Sequence, residues 1–132
     1  MSLLLLDTTF LIDAERGEEA LDQLIHDDDD VAISAVTVAE LLVGVRLATA
    51  RHRARRQAYV DAVLATIPVT GYDVNVALVH AELLAAVRRA GRPRGAHDLI
   101  IAATARATNR TVVTADLAAF EGLPGVTVAA HR

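Results

Sequence analysis

The stretch Leu3-Leu4-Leu5-Leu6-Asp7-Thr8-Thr9-Phe10-Leu11-Ile12 decides the fold. Four consecutive leucines predict a short strand buried on both faces, the type that a parallel sheet requires. The run stops at Asp7, and Asp7 to Ile12 changes to a helical pattern. A strand that passes straight into a helix is the first half of a βα unit. Working outward, Glu18 to Asp27 reads as a short helix with Leu21, Leu24 and Ile25 on one face. The acidic run Asp27 to Asp30 reads as a turn, and Val31-Ala32-Ile33 as a second strand. Thr37 to Leu47 is a helix in which Thr37 and Glu40 match a capping box. Arg51 to Leu64 continues as another helix, and Ile67-Pro68-Val69 is a brief extended piece ended by Gly71. Val74 to Ala90 is a long helix with the apolar stripe Ala77, Leu78, Ala81, Leu84 and Ala85, stopped by Gly91 and Pro93. His97 to Ala107 is a helix apolar on every side from Leu99 to Ala103, hence central. Thr111-Val112-Val113 and Val126-Thr127-Val128 are the last strands. Strands alternate with helices, so the expected class is α/β, in three layers around a mainly parallel sheet of four or five strands.

Composition narrows the function classes. The 132 residues, 53% of them hydrophobic, suit a single domain with a real core, taken here as 1–132. There is no cysteine, so neither a disulfide framework nor a thiolate metal site exists. No apolar run reaches membrane-spanning length, and the N-terminus lacks the basic start of a signal peptide. A cytoplasmic protein is expected. The net charge is −4, yet all 13 basic residues are arginine. They cluster at Arg46, Arg51, Arg53, Arg55 and Arg56, and again at Arg88, Arg89, Arg92 and Arg94. Arginine makes planar, bidentate phosphate contacts. The competing reading of each cluster is a solvated helix face. Arg92 and Arg94 are the candidate contacts to a phosphate-bearing polyanion.

Four acids fall where an α/β sheet places its chemistry, beyond the carboxyl ends of the strands. Asp7 follows the first strand, Glu40 lies one turn into the helix after the second, and Asp116 follows the strand Thr111 to Val113. Asp98 opens the central helix. Each alone has a structural explanation as a cap, a capping-box partner, a dipole complement or a turn residue. Together they are carboxylates beside buried apolar segments, which are costly unless neutralised. An all-carboxylate cluster suits the hard ions Mg²⁺ or Mn²⁺ and not a structural zinc. Such a site suits phosphodiester hydrolysis. A haloacid-dehalogenase-like phosphatase would want a second aspartate where Thr9 stands. A phospho-receiver domain would want a lysine. The pair His97-Asp98 lacks the further histidines of an HD phosphohydrolase, so His97 reads as a helix-start or supporting residue.

The pattern resembles the PIN-domain family. Leu-Leu-Leu-Leu-Asp7-Thr8-Thr9-Phe10-Leu11-Ile12-Asp13 resembles its opening motif, and Ser34-Ala35-Val36-Thr37-Val38-Ala39-Glu40-Leu41-Leu42-Val43-Gly44 its second. Gly91 to Ala103, around His97-Asp98-Leu99, resembles the third, and Val113-Thr114-Ala115-Asp116-Leu117 with Phe120 the fourth. In size and in all four motifs the chain is similar to the VapC-type toxins of toxin–antitoxin pairs. The resemblance implies a PIN fold and Mg²⁺- or Mn²⁺-dependent endoribonuclease activity. It carries the catalytic and metal-binding quartet onto Asp7, Glu40, Asp98 and Asp116, with Asp7 and Asp98 the most constant ligands. It places supporting hydroxyls at Thr8, Thr9 and Thr114, where they can bind a metal water or a phosphate oxygen. It further implies a homodimer silenced by a VapB-type antitoxin whose C-terminal segment lies in the active-site groove. The stripe Leu41, Leu42 and Val45 is either core or, if exposed, a groove for an amphipathic helix. The alternatives to a toxin are a housekeeping PIN nuclease in RNA processing and a non-catalytic RNA-binding PIN module.

Overall fold

The computed structural model describes residues 2–17 and 25–130. Most of the helix expected from Glu18 to Asp27, including Leu21 and Leu24, lies outside the described residues, as does His131.

The four leucines form β1 (Leu3–Leu6), which passes through Asp7 directly into α1 (Thr8–Arg16). Next come β2 (Asp30–Ser34), α2 (Ala35–Leu47), α3 (Ala50–Thr66), β3 (Val69–Thr70), α4 (Val74–Ala90) and α5 (Ala96–Ala107). The described chain ends with β4 (Thr111–Thr114), a 3₁₀ turn at Leu117–Ala119 and β5 (Val128–Ala130). All four strand pairings are parallel, in the order β3-β2-β1-β4-β5. The central β1 pairs Leu5 with Ala32 on one side and with Val112 on the other.

Two apolar clusters lie on opposite faces of this sheet, because successive strand side chains alternate in direction. Leu5 and Ala32 point toward α4 and α5, where they pack with Leu83, Leu99, Ile101 and Phe120. Leu6 and Ile33 point toward α1, α2 and α3, among Phe10, Leu11, Leu41, Val45 and Val63. The result is the expected three-layer α/β/α arrangement. The Tyr59 hydroxyl donates to the Leu11 carbonyl at 2.7 Å and ties α3 to α1. Burial, assisted by the charge of Glu15, pushes that phenol up to about 12. Among the described residues no helix is long and apolar enough to cross a membrane.

Several local expectations change. Helix α2 starts two residues before Thr37 and is capped by Ser34, whose hydroxyl accepts from the Val36 N–H. Thr37 and Glu40 therefore form no capping box. Strand β2 hands over to the helix at Ser34, which leaves that hydroxyl nearest the free N–H groups. In α4 the buried residues are Val76, Leu83 and Val87, whereas Leu78 is 63% exposed. The stripe is rotated from the alanine-rich face that the sequence favours, since the larger side chains gain more by burial. Leu41 and Val45 are core residues, and Val43 and Leu47 are the exposed ones of that helix. The last strand sits two residues later than expected.

Candidate active site

Strand order reverses at β1, whose neighbours lead away in opposite directions. In open parallel sheets the crevice beyond the carboxyl ends at such a point is where ligands bind. Asp7 and Asp116 follow the two strands that flank this crevice.

Asp7 is 2% exposed. Its backbone N–H extends the ladder to the Val113 carbonyl at 3.1 Å. Its carboxylate caps α1 by accepting from the Phe10 N–H at 2.9 Å. Oδ2 accepts from the Thr114 hydroxyl at 2.7 Å, and the Thr9 hydroxyl lies 2.9 and 3.0 Å from the two carboxylate oxygens. The two threonines in turn accept backbone N–H groups of the loop after β4. Ala115 donates to Thr9 at 3.2 Å and Asp116 to Thr114 at 2.8 Å. Thr9 and Thr114 thus fasten Asp7 to the segment that carries Asp116, and their hydroxyls are already engaged. Burial raises the Asp7 carboxyl above the usual aspartate range, and the three hydrogen bonds offset this only in part.

Glu40 projects from α2 and is held from two sides. The Thr8 hydroxyl donates to Oε1 at 2.8 Å, and His97 Nδ1 lies 3.5 Å from Oε2. The Thr8 oxygen is also 3.2 Å from the Thr37 hydroxyl, which is fully buried. Thr8 therefore orients Glu40. Sequence reading missed Thr37, because its spacing to Glu40 fits a capping box equally well, and only the distant Thr8 distinguishes the two.

Asp98 stands in the first turn of α5, after Gly95. Burial raises its carboxyl first, and the charges of Glu40, Asp7 and Asp116 raise it further, while His97 opposes them. The Asp98 carboxylate thus feels the charges of the other three acids named from the sequence. Among the described residues no hydrogen bond engages the Asp98 carboxylate, and no three acids or histidines form a finished cation cage. Repelling carboxylates, one buried and clamped and one without a hydrogen-bond partner, fit a hard divalent ion that keeps part of its water shell.

The arginines divide. Arg94 donates to the carbonyls of Ala118, Ala119 and Glu121 at 3.3, 3.0 and 2.6 Å. It braces the 3₁₀ turn after Asp116, and three of its five N–H donors are engaged in doing so. Arg92 is exposed and lines a groove of 720 Å³ between the end of α4 and the Gly122–Pro124 loop.

Comparison with known proteins agrees with this architecture. Residues 4–124 match the PIN domain family. The chain is 38% identical to Ribonuclease VapC5 of Mycobacterium tuberculosis, over 93% of this chain and 91% of that protein. It is 32% identical to the tRNA(fMet)-specific endonuclease VapC of Salmonella typhimurium, over 74% and 73% of the two chains. The structure of a DNA-bound VapBC from Salmonella typhimurium superposes with a TM-score of 0.88 at 27% identity, covering all of both chains. The βα unit begun by four leucines, the acids beyond its sheet and these likenesses agree: the chain belongs to the PIN-domain family, among the VapC-type ribonucleases.

Proposed function

We propose that the protein is a metal-dependent endoribonuclease acting as the toxin of a VapBC-type pair, built as one PIN domain over residues 1–132. The observation that carries this reading is the Asp98 carboxylate, which no hydrogen bond engages among the described residues and which burial and three neighbouring acids raise against the opposing His97. Asp7 and Asp98 would hold Mg²⁺ or Mn²⁺, with Glu40 and Asp116 completing the acidic wall. A bound divalent ion supplies Lewis acidity and a water acidic enough to attack a phosphodiester near neutral pH. The protein's own part is preorganisation. Thr9 and Thr114 fix both oxygens of Asp7, Thr8 fixes Glu40, and His97 holds the outer Glu40 oxygen at the mouth of the site. Fixed dipoles and charges of this kind need no rearrangement when the reaction begins.

The relatives support the biological setting. A related chain forms a VapBC complex, which supports a VapB-type antitoxin and a toxin–antitoxin hetero-oligomer as partners; a homodimer and a cytoplasmic location are part of the same proposal. The test is cleavage of a defined RNA by purified protein with Mg²⁺, with Mn²⁺ and with EDTA, beside the Asp7→Asn, Asp98→Asn double variant. Metal-dependent cleavage that the double variant loses supports the reading. Equal cleavage by the double variant or in EDTA refutes the metal site. Unimpaired growth of cells that contain soluble wild-type protein without its neighbouring gene refutes the toxin role.

A further inference from the structure

Helix α1 connects the acidic site to a second, cationic place. Thr9, Ile12, Asp13 and Arg16 recur at helical spacing and form one face, which spans roughly 10 Å from first to last at 1.5 Å per residue. This face and Ala115 line an open depression of 320 Å³ that starts beside the Asp7 clamp. At its far end Arg16 joins Glu15, Arg55 and Arg56 around a second depression of 330 Å³. A narrower one of 90 Å³ between α1 and α2 is lined by Glu40 and Arg56 among others, so the acids and the arginines share a continuous surface.

The arginines there differ from the others. Arg106 and Arg110 pair with Glu82 and Asp30 at 2.8 and 2.9 Å, and Arg94 donates to three carbonyls. Among the described residues Arg16, Arg55 and Arg56 pair with no carboxylate. Arg55 reaches only the His52 ring at 3.1 Å, and Arg56 only the Gly44 carbonyl at 3.5 Å. Glu15, whose Oε2 is buried and without a hydrogen-bond partner among the described residues, lines the same depression, so three arginines share it with one carboxylate. A site walled by four acids repels the polyanion it cleaves, and affinity must come from cations placed beside it.

We propose that the α1 groove, with Arg16, Arg55 and Arg56 as phosphate contacts, is the path along which the RNA strand runs from the acidic site. This rests on the ribonuclease reading above and assigns the substrate track of that site. The three arginines gathered with one carboxylate at the far end favour a nucleic-acid backbone over a protein segment as the occupant.

The experiment uses the Asp98→Asn protein, so that bound RNA survives, and a fluorescently labelled single-stranded RNA followed by anisotropy across a salt series. Changing Arg16, Arg55 and Arg56 to Gln together should weaken binding at least tenfold at low salt. It should also flatten the salt dependence by about 2, at about 0.7 per lost phosphate contact. Arg16→Glu alone, on an exposed last turn, should weaken binding without disturbing the fold, and Arg106→Gln should not weaken it. Unchanged affinity and slope in both the triple variant and Arg16→Glu overturn the path. Loss of antitoxin binding with RNA binding intact also overturns it and gives the groove to the protein partner. The wild-type protein, assayed in parallel for cleavage, separates the two layers. If it neither binds nor cuts RNA, the ribonuclease reading itself fails. If it does both while the variants bind as before, only the path fails.

Discussion

Replacing Gly95 with Ala tests whether the position of the Asp98 carboxylate matters. Gly95 precedes α5 with φ −58° and ψ 138°, angles that alanine adopts freely. A β-carbon there would lie 2.8 Å from Asp98 Oδ2 and 3.4 Å from its Cγ. Ordinary contact begins near 3.4 Å, so the oxygen must retreat by about 0.6 Å (3.4 less 2.8). The retreat costs little stability, because no hydrogen bond holds that carboxylate. The weaker N-cap preference of alanine and the entropy it removes from the unfolded chain are each about 1 kcal/mol or less and opposite in sign. The midpoint of urea denaturation should therefore stay within about 1 kcal/mol of wild type. Function should not be spared. Misplacement by 1 Å can cost about 100-fold, so a shift of this size should lower RNA cleavage by about tenfold or more and weaken Mn²⁺ binding measured by calorimetry. Gly91→Ala is the control. Gly91 has φ 65° with nothing near its missing Cβ, so that change strains the backbone by about 1 kcal/mol and leaves Asp98 alone. Wild-type cleavage and Mn²⁺ affinity in a stable Gly95→Ala protein would refute the reasoning.

Further outcomes follow from the same geometry. Thr8→Val removes the donor to Glu40 and should cost about 1 kcal/mol in urea denaturation and weaken Mn²⁺ binding, with Thr8→Ser restoring both; equal metal affinity in Val and Ser variants would remove Thr8 from the site. In EDTA, the raised carboxyls of Asp7 and Asp98 mean that the native state holds protons the unfolded chain has released. The contribution of these two carboxyls to stability should thus be fullest below about pH 3.9, the ordinary aspartate value, and be lost as pH rises through the raised values, an effect that Asp98→Asn diminishes. Urea denaturation across pH checks this, and a profile unchanged by Asp98→Asn speaks against it. Gly44→Ala, inside α2 with open space at its Cβ, should add about 0.5–1 kcal/mol of stability by the same assay.

The parts of the molecule legible in its sequence are those where one residue type admits one environment. Leu3 to Leu6 can be covered only in a central strand, and the structure pairs that strand on both sides. The acids after β1 and β4 follow from strand ends alone. Where two environments satisfy the same local pattern, the sequence is silent. Both Ser34 and Thr37 carry hydroxyls able to cap a helix, and only the end of β2 selects Ser34. Helix α4 has apolar residues on more than one face, so alanine-rich periodicity suggests one stripe while Val76, Leu83 and Val87 fill the core. Arg94 looks like any other member of an arginine cluster until the carbonyls of a turn 24 to 27 residues away reach it.

The structural and chemical explanations of the acids turn out to differ from residue to residue. For Asp7 they are one explanation. The bonds that make it the cap of α1 and the clamp of β4 also fix both oxygens, and burial outweighs them, so the carboxylate is rigid, unneutralised and costly in its charged form. A cation removes that cost without moving an atom of the clamp. Asp98 is the opposite case, since no hydrogen bond holds it and three acids repel it, and only the bare face of Gly95 gives it room. A fixed acid and an adjustable one make an unequal pair. On the metal-dependent reading, Asp7 would define where an ion sits and Asp98 would complete its coordination. Metal affinity should therefore be lost most completely with Asp7→Asn, whereas Asp98→Asn should leave a weaker but saturable Mn²⁺ site. Calorimetry of both variants checks that order. Stronger residual binding in Asp7→Asn than in Asp98→Asn would show that the clamp holds the helix and not the ion.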